Sequence, residues 1–285
     1  MLLGAAFAGL AAHVIHALLT NPAGGGLYSG WAFYVLALLV LGAGIARGGL
    51  VHDERATWTA ASAAFAAWFM GSVFYASGGG TDEDLYAFPL ADALLLPFAA
   101  AAAVAAATLV RSRVRPFQPT ILLDGLIVSL AAGALAAVLM DVTFLNGIEA
   151  GTAVITLKAA YPLGAVILLA FALWVQGLTG WRPNRTWTAA VVGLALAGVA
   201  SIAFLLRTVA GSYTPGSLVD SLWLAGGLVL AYAAWQPHEE SMPVRLERQQ
   251  RLGVTSLGAA VALAVLVLGQ FVSVSLAAVM WRPQP

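Results

Sequence analysis

The chain has 285 residues, of which 61% are hydrophobic and 9% are charged, and its mean hydropathy is +0.90. A soluble domain carries about 25% charged residues, so this composition excludes a water-facing surface over most of the chain and points to lipid as the solvent. The formal net charge of zero excludes recruitment of nucleic acid by an overall field, and the absence of cysteine excludes disulfides and thiolate metal sites.

Nine apolar stretches follow one another along the chain, each about 20 residues long, the length needed to cross a bilayer. They are residues 2–20, 28–47, 57–77, 88–110, 119–141, 152–178, 186–208, 216–236 and 252–277. A cleaved secretory signal needs a basic segment before its apolar stretch. No Lys or Arg precedes the first stretch, so we expect a span that is retained. The sequence therefore predicts an all-α, polytopic membrane bundle formed by a single transmembrane domain, residues 1–285.

Positive charges alternate from one predicted loop to the next. The loops after the even-numbered spans contain Arg47, Arg55, Arg111, Arg113, Arg115, Arg182, Arg185, Arg245, Arg248 and Arg251. The loops between them, 21–27, 78–87, 142–151 and 209–215, contain no Lys or Arg. Because cytoplasmic loops carry the excess of Lys and Arg, we predict an inner (plasma) membrane protein with a cytoplasmic N-terminus. An odd number of spans places the C-terminus outside. This is either the natural end of the protein or the point at which a longer protein has been cut before a tenth span.

Short repeated elements suggest that the bundle is built from duplicated helical hairpins. Phe-Pro-Leu at 88–90 is followed by Tyr-Pro-Leu at 161–163, and Thr-Trp-Thr-Ala-Ala occurs at 57–61 and again at 186–190. The predicted repeats cover about 28–77, 86–141, 160–208 and 214–277.

Several ionisable side chains lie inside the predicted spans, where they are costly and normally face a bundle interior or a wet cavity. Those in the predicted outer half are His13, His16, Asp92, Asp141, Lys158, Arg207 and Asp220. We predict an outer-half polar pocket that binds a ligand or senses protons or ions, with Asp92, Lys158, Asp220, Arg207 and Tyr161 as its binding residues. The alternative is a set of structural ion pairs that join Asp92 or Asp220 to Lys158 or Arg207.

His13 and His16 are spaced three apart, on one helix face, and are weak candidates for metal or haem ligands because a bare pair of this kind carries little specificity. No other metal site and no cofactor is predicted. The motifs HExxH, GxSxG and GxxxxGK[ST] do not occur in the sequence, so we expect no enzymatic activity.

Several elements resemble the multi-span N-terminal membrane region found ahead of GGDEF and EAL domains in actinobacterial diguanylate cyclases and phosphodiesterases. The matching elements are aromatic-Pro-x-x-Asp at 88–92, Leu-Asp-x-x-Ile/Val at 123–127, Tyr-Pro-Leu-Gly at 161–164, Leu-x-Asp-x-x-Trp at 218–223 and Ala-Ala-Trp-x-Pro at 233–237. The resemblance covers about residues 85–240. It is broken at Ala165, where the family pattern has a second aspartate.

The resemblance implies a membrane sensor that feeds a cytoplasmic enzyme of cyclic-di-GMP metabolism. The chain contains no GGDEF or EAL sequence, so we predict a non-catalytic integral membrane sensory or input module. Its predicted partners are the lipid bilayer, a small ligand or ion on the outer side, a cytoplasmic signalling enzyme and a second copy of the chain. The alternatives are a small-molecule or ion transporter and a structural membrane scaffold.

Overall fold

The computed structural model describes residues 2–19, 27–77, 89–115, 117–140, 152–179, 181, 184–210, 212–213, 217–237, 242–243, 252–253 and 255–263. Its main helices are α1 (Leu2–Leu19), α2 (Leu27–Leu50), α3 (Arg55–Ser77), α4 (Pro89–Arg113), α5 (Pro119–Met140), α6 (Thr152–Leu178), α7 (Arg185–Val209) and α8 (Leu218–Ala234). A 3₁₀ helix, His52–Glu54, joins α2 to α3. Two-residue strands β1 (Val114–Arg115) and β2 (Met242–Pro243) pair in parallel. The fold class is all-α, as predicted.

Four of these helices are long and apolar enough to cross a membrane. Their apolar segments are Phe33–Leu50, Pro119–Met140, Ala160–Leu178 and Arg185–Thr208. Helix α3 is equally long, but its apolar residues are largely alanine, interspersed with Thr, Ser and Trp. Length and hydropathy therefore support a membrane protein but do not confirm the predicted count of nine spans.

Six of the described helices close into a ring. Helix α2 packs against α3, α3 against α4, α4 against α6, α6 against α7, α7 against α8, and α8 returns to α2. Helix α1 lies outside the ring against α2 and α8, and α5 lies outside it against α6. The two identical stretches at 57–61 and 186–190 begin α3 and α7, which occupy opposite positions in the ring.

The ring has two distinct ends. The C-terminal ends of α2, α4 and α8 meet the N-terminal ends of α3 and α7 through Arg47 and Arg113, and we call this the basic end. A cluster of buried side chains, including Trp58, Val110 and Trp187, packs directly beside it. The N-terminal ends of α4, α6 and α8 lie at the other end of the ring, which we call the opposite end.

Glycine allows the backbones of α7 and α8 to approach each other closely. A Cβ atom added to Gly226 would lie 2.8 Å from the carbonyl oxygen of Gly193, and one added to Gly193 would lie 2.9 Å from that of Gly226. Small residues that let two backbones touch are typical of helix interfaces in membranes.

Helix α5 presents a strongly apolar face away from the ring. Leu123, Leu126, Leu130, Leu135 and Leu139 are exposed, whereas the glycines and the serine of the same helix are buried towards α6. A continuous apolar face of this kind is unusual on a soluble monomer, and it is the face expected of a helix bordered by lipid.

The two proline elements occupy different places in their helices. Pro89 is the first residue of α4, where proline is tolerated without loss of a hydrogen bond, whereas Pro162 lies inside α6. Ala165 is therefore a mid-helix residue. It is buried, and a Cβ added to Gly198 of α7 would lie 3.7 Å from its own Cβ. Ala165 therefore faces α7.

Candidate functional site

The structure buries a carboxylate at the basic end. Glu54, the last residue of the 3₁₀ helix, is 1% exposed. Its Oε1 accepts a hydrogen bond from Arg113 Nε at 2.8 Å, and Arg113 Nη2 makes an ion-pair contact with the same oxygen at 2.6 Å. Its Oε2 accepts hydrogen bonds from Trp58 Nε1 at 2.8 Å and from Arg47 Nη2 at 3.3 Å. Donors from α2, α3 and α4 thus hold both oxygens of one carboxylate.

The two arginines extend these contacts to α7 and α8. Arg113 is 2% exposed, and its Nη1 donates a hydrogen bond to Thr186 Oγ1 at 3.1 Å. Arg47 Nη2 also donates to the backbone oxygen of Gln236 at 3.4 Å. We call Arg47, Glu54, Trp58, Arg113 and Thr186 the ionic cluster. Since its members and their partners come from five helices, the cluster holds the basic end of the ring together.

Sequence reasoning missed this cluster. It treated Arg47 and Arg113 as loop charges that mark orientation, and it did not single out Glu54. In the structure α2 and α4 run on past the predicted span ends, so both arginines lie in the last turn of a helix. One available signal was Glu54 four residues before Trp58, a spacing that places two side chains on one helix face. The third partner, Arg113, is far away in the sequence and is not indicated by any local pattern.

A half-open cavity of about 190 Å³ is lined by the ring helices. All six ring helices contribute to its wall, which consists mainly of Ala, Leu, Phe and Trp side chains. The wall uses the first halves of α3 and α7 and the second halves of α2, α4 and α8, so the cavity lies nearer the basic end. Trp58 and Thr186 line it and also belong to the ionic cluster.

At the opposite end the structure buries Asp220 in the first turn of α8. Tyr213 donates a hydrogen bond from its hydroxyl to Asp220 Oδ1 at 2.9 Å. The Tyr213 ring stands edge-on to Phe204, with centroids 4.8 Å apart, and Phe204 packs against Trp223 at 5.3 Å. Trp223 in turn contacts Trp68 of α3 at 6.3 Å. A series of packed aromatic rings therefore extends from the tyrosine that binds this carboxylate to α3.

No protein-family model, curated protein or solved structure matches the chain. The resemblance to the membrane regions that precede GGDEF and EAL domains therefore stays a prediction.

By their positions along the helices, the predicted pocket residues lie towards the opposite end of the ring. Asp92 and Lys158 lie near the N-terminal ends of α4 and α6, although their side chains fall outside the described part of the molecule. Arg207 is exposed in the last turn of α7, and Tyr161 is half-buried in α6. Of the five predicted binding residues, the structure shows a buried position and a specific partner for Asp220.

The metal candidates His13 and His16 lie in α1, and their side chains also fall outside the described part. Among the residues that the structure describes, no group of three or more His, Asp or Glu side chains is placed to hold a metal ion.

Proposed function

We propose that the chain is a non-catalytic membrane sensory or input module that acts on cyclic-di-GMP signalling. The observation that carries this proposal is the ionic cluster, which connects five helices at one end of the ring and borders the cavity. A change in helix packing around the cavity would alter the hydrogen bonds of Glu54 and Arg113, because their partners Trp58 and Thr186 belong to both the cavity wall and the cluster.

A buried ion pair is suited to a switch for a physical reason. Separating Glu54 from Arg113 leaves two unpaired charges away from water, which is strongly unfavourable. The cluster is therefore stable in two arrangements: with the ion pair intact and buried, or with the two charges separated and exposed to water. Geometries between these two are poorly populated. A two-state element of this kind is what converts a small packing change into a signal.

In the proposed topology the chain crosses the inner membrane nine times with its N-terminus in the cytoplasm, so the basic end faces the cytoplasm. This is supported by the alternation of arginines between loops. Arg55, Arg111 and Arg185 are exposed at that end and would meet an acidic surface on a cytoplasmic signalling enzyme. The polar pocket of the outer half, with Asp92, Lys158, Asp220, Arg207 and Tyr161, belongs to the same proposal and is supported by the burial of Asp220.

The apolar cavity favours the sensory module over an ion transporter. An ion that crosses a bilayer needs polar groups along its route, whereas the wall of this cavity is built mainly from apolar side chains.

The proposal is tested in cells of the source organism by replacing the chromosomal copy with a Glu54→Gln version and measuring intracellular cyclic-di-GMP, normalised to the amount of chain in the membrane. Glu54→Gln removes the charge and preserves the shape, so it is expected to shift the cyclic-di-GMP level. The control is Asp53→Asn, because Asp53 is the exposed neighbour in the same 3₁₀ helix. Unchanged cyclic-di-GMP in the Glu54→Gln strain contradicts the proposal, and so does solute flux through the purified chain in proteoliposomes.

A further inference from the structure

Two buried hydrogen-bond donors in the cavity wall have no partner among the described residues. They are the Ser62 hydroxyl and the Trp187 indole N–H. Ser62 is 7% exposed and Trp187 is 3% exposed, so neither donor is satisfied by bulk water. Buried polar groups are nearly always paired, and one that is not calls for an explanation.

The unpaired indole arises from a difference between the two repeated stretches. Trp58 lies in the first turn of α3 and donates its N–H to Glu54, four residues earlier. Trp187 occupies the same position in the second stretch, but the residue four positions before it is Pro183, which offers no carboxylate. Both rings line the cavity. The indole N–H of Trp58 is thus bonded within the ionic cluster, whereas the indole N–H of Trp187 is available to a ligand in the cavity.

The second donor is held against the backbone of α2. A Cβ added to Gly44 would lie 2.5 Å from Ser62 Oγ, so the absence of a side chain at Gly44 makes the space that this hydroxyl occupies. Gly44 and Ser62 both line the cavity.

The size of the cavity and its mainly apolar wall determine which kind of molecule it can bind. An engineered apolar cavity of about 150 Å³ stays dry and binds benzene, so a mainly apolar cavity of about 190 Å³ suits a ring-sized lipophilic molecule. An indole N–H donates and cannot accept. A molecule that satisfies Trp187 must therefore carry an acceptor, and a carbonyl oxygen is a strong acceptor that brings no charge.

We propose that this cavity binds a ring-sized lipophilic molecule with a carbonyl group, whose oxygen accepts a hydrogen bond from Trp187 Nε1; the Ser62 hydroxyl is a second donor in the same wall. A free lipophilic ketone or quinone and the ester carbonyl of a membrane lipid share this chemistry. The inference goes beyond the proposed signalling role and does not depend on it, because binding is measured directly on the purified chain.

The test compares two fluorinated probes of nearly equal shape, 4-fluoroacetophenone and 1-ethyl-4-fluorobenzene, of which the first carries a carbonyl group. The full chain is delipidated in dodecyl maltoside, a detergent without a carbonyl, and each probe is titrated by ¹⁹F NMR against micelles alone. Both probes are expected to bind saturably. Trp187→Phe is expected to weaken the ketone about three- to tenfold, as for loss of one hydrogen bond, and to leave the hydrocarbon within about twofold.

The matched control is Trp174→Phe. Trp174 is also buried, and its indole N–H has no partner among the described residues, but it does not line the cavity, so its loss should change neither affinity. Ala190→Leu and Ala106→Leu, which fill the cavity from α7 and α4, should each abolish binding of both probes.

The inference is overturned if neither probe binds the wild-type chain. It is equally overturned if Trp187→Phe weakens both probes alike or if Trp174→Phe has the same effect as Trp187→Phe. Added phosphatidylglycerol separates the two natural sources: displacement of the bound ketone supports a lipid ester as the occupant, and retention of the ketone supports a free lipophilic carbonyl compound.

Discussion

Replacing Glu54 by glutamine tests how much the ionic cluster contributes to the fold. The substitution keeps the size of the side chain and one acceptor oxygen, but it leaves Arg113, which is 2% exposed, without a counter-charge. Removal of one partner from a buried ion pair destabilises a protein by about 3–5 kcal/mol. Arg47 is less deeply buried, with 12% of its side chain exposed, and the glutamine oxygen can still accept from Trp58. We therefore expect a loss near the lower limit, about 3 kcal/mol.

The assay is reversible unfolding in mixed micelles of dodecyl maltoside and SDS, followed by tryptophan fluorescence. Glu54→Gln combined with Arg113→Met removes both buried charges, and we expect the double variant to recover to within about 1.5 kcal/mol of the wild type, since apolar replacements of a buried pair are often nearly neutral. Asp53→Asn changes an exposed neighbour and should shift the free energy of unfolding by less than about 0.5 kcal/mol.

With the Arg113→Met single variant measured as well, the double-variant cycle isolates the coupling between the two side chains. A loss below about 1 kcal/mol for Glu54→Gln would refute the assignment of a buried, charge-paired cluster. A double variant no more stable than the single Glu54→Gln variant would refute it as well.

Three further predictions use the same unfolding assay. Gly226→Ala should lose about 2 kcal/mol because its Cβ would meet the backbone oxygen of Gly193, whereas Gly42→Ala, with nothing within 4 Å, should be neutral or stabilising; equal effects would contradict the close approach of α7 and α8. Ala165→Asp should lose more than about 3 kcal/mol because it buries a carboxylate against α7, and undiminished stability would show that α6 and α7 are not in contact there. Tyr213→Phe should lose about 1.5–3 kcal/mol with the hydrogen bond to the Asp220 carboxylate, and no loss would contradict that bond.

The sequence alone determined the class of this protein. A chain with 9% charged residues has too few to cover a surface in water, and apolar stretches of about 20 residues predict membrane-spanning helices. Each of these inferences rests on composition and on neighbouring residues, so it needs no knowledge of how the helices pack. The same local reasoning correctly placed Asp220 inside a helix that begins near residue 218.

Tertiary structure alone decided where the polar contacts are made. Arg113 and Glu54 lie in different helical hairpins, and their ion pair exists because α4 closes the ring beside α3. Trp58 and Trp187 occupy the same position in identical stretches, yet the indole of Trp58 is bonded and that of Trp187 has no partner among the described residues. Burial and pairing depend on which distant segment covers a side chain, and helix periodicity carries no information about that choice.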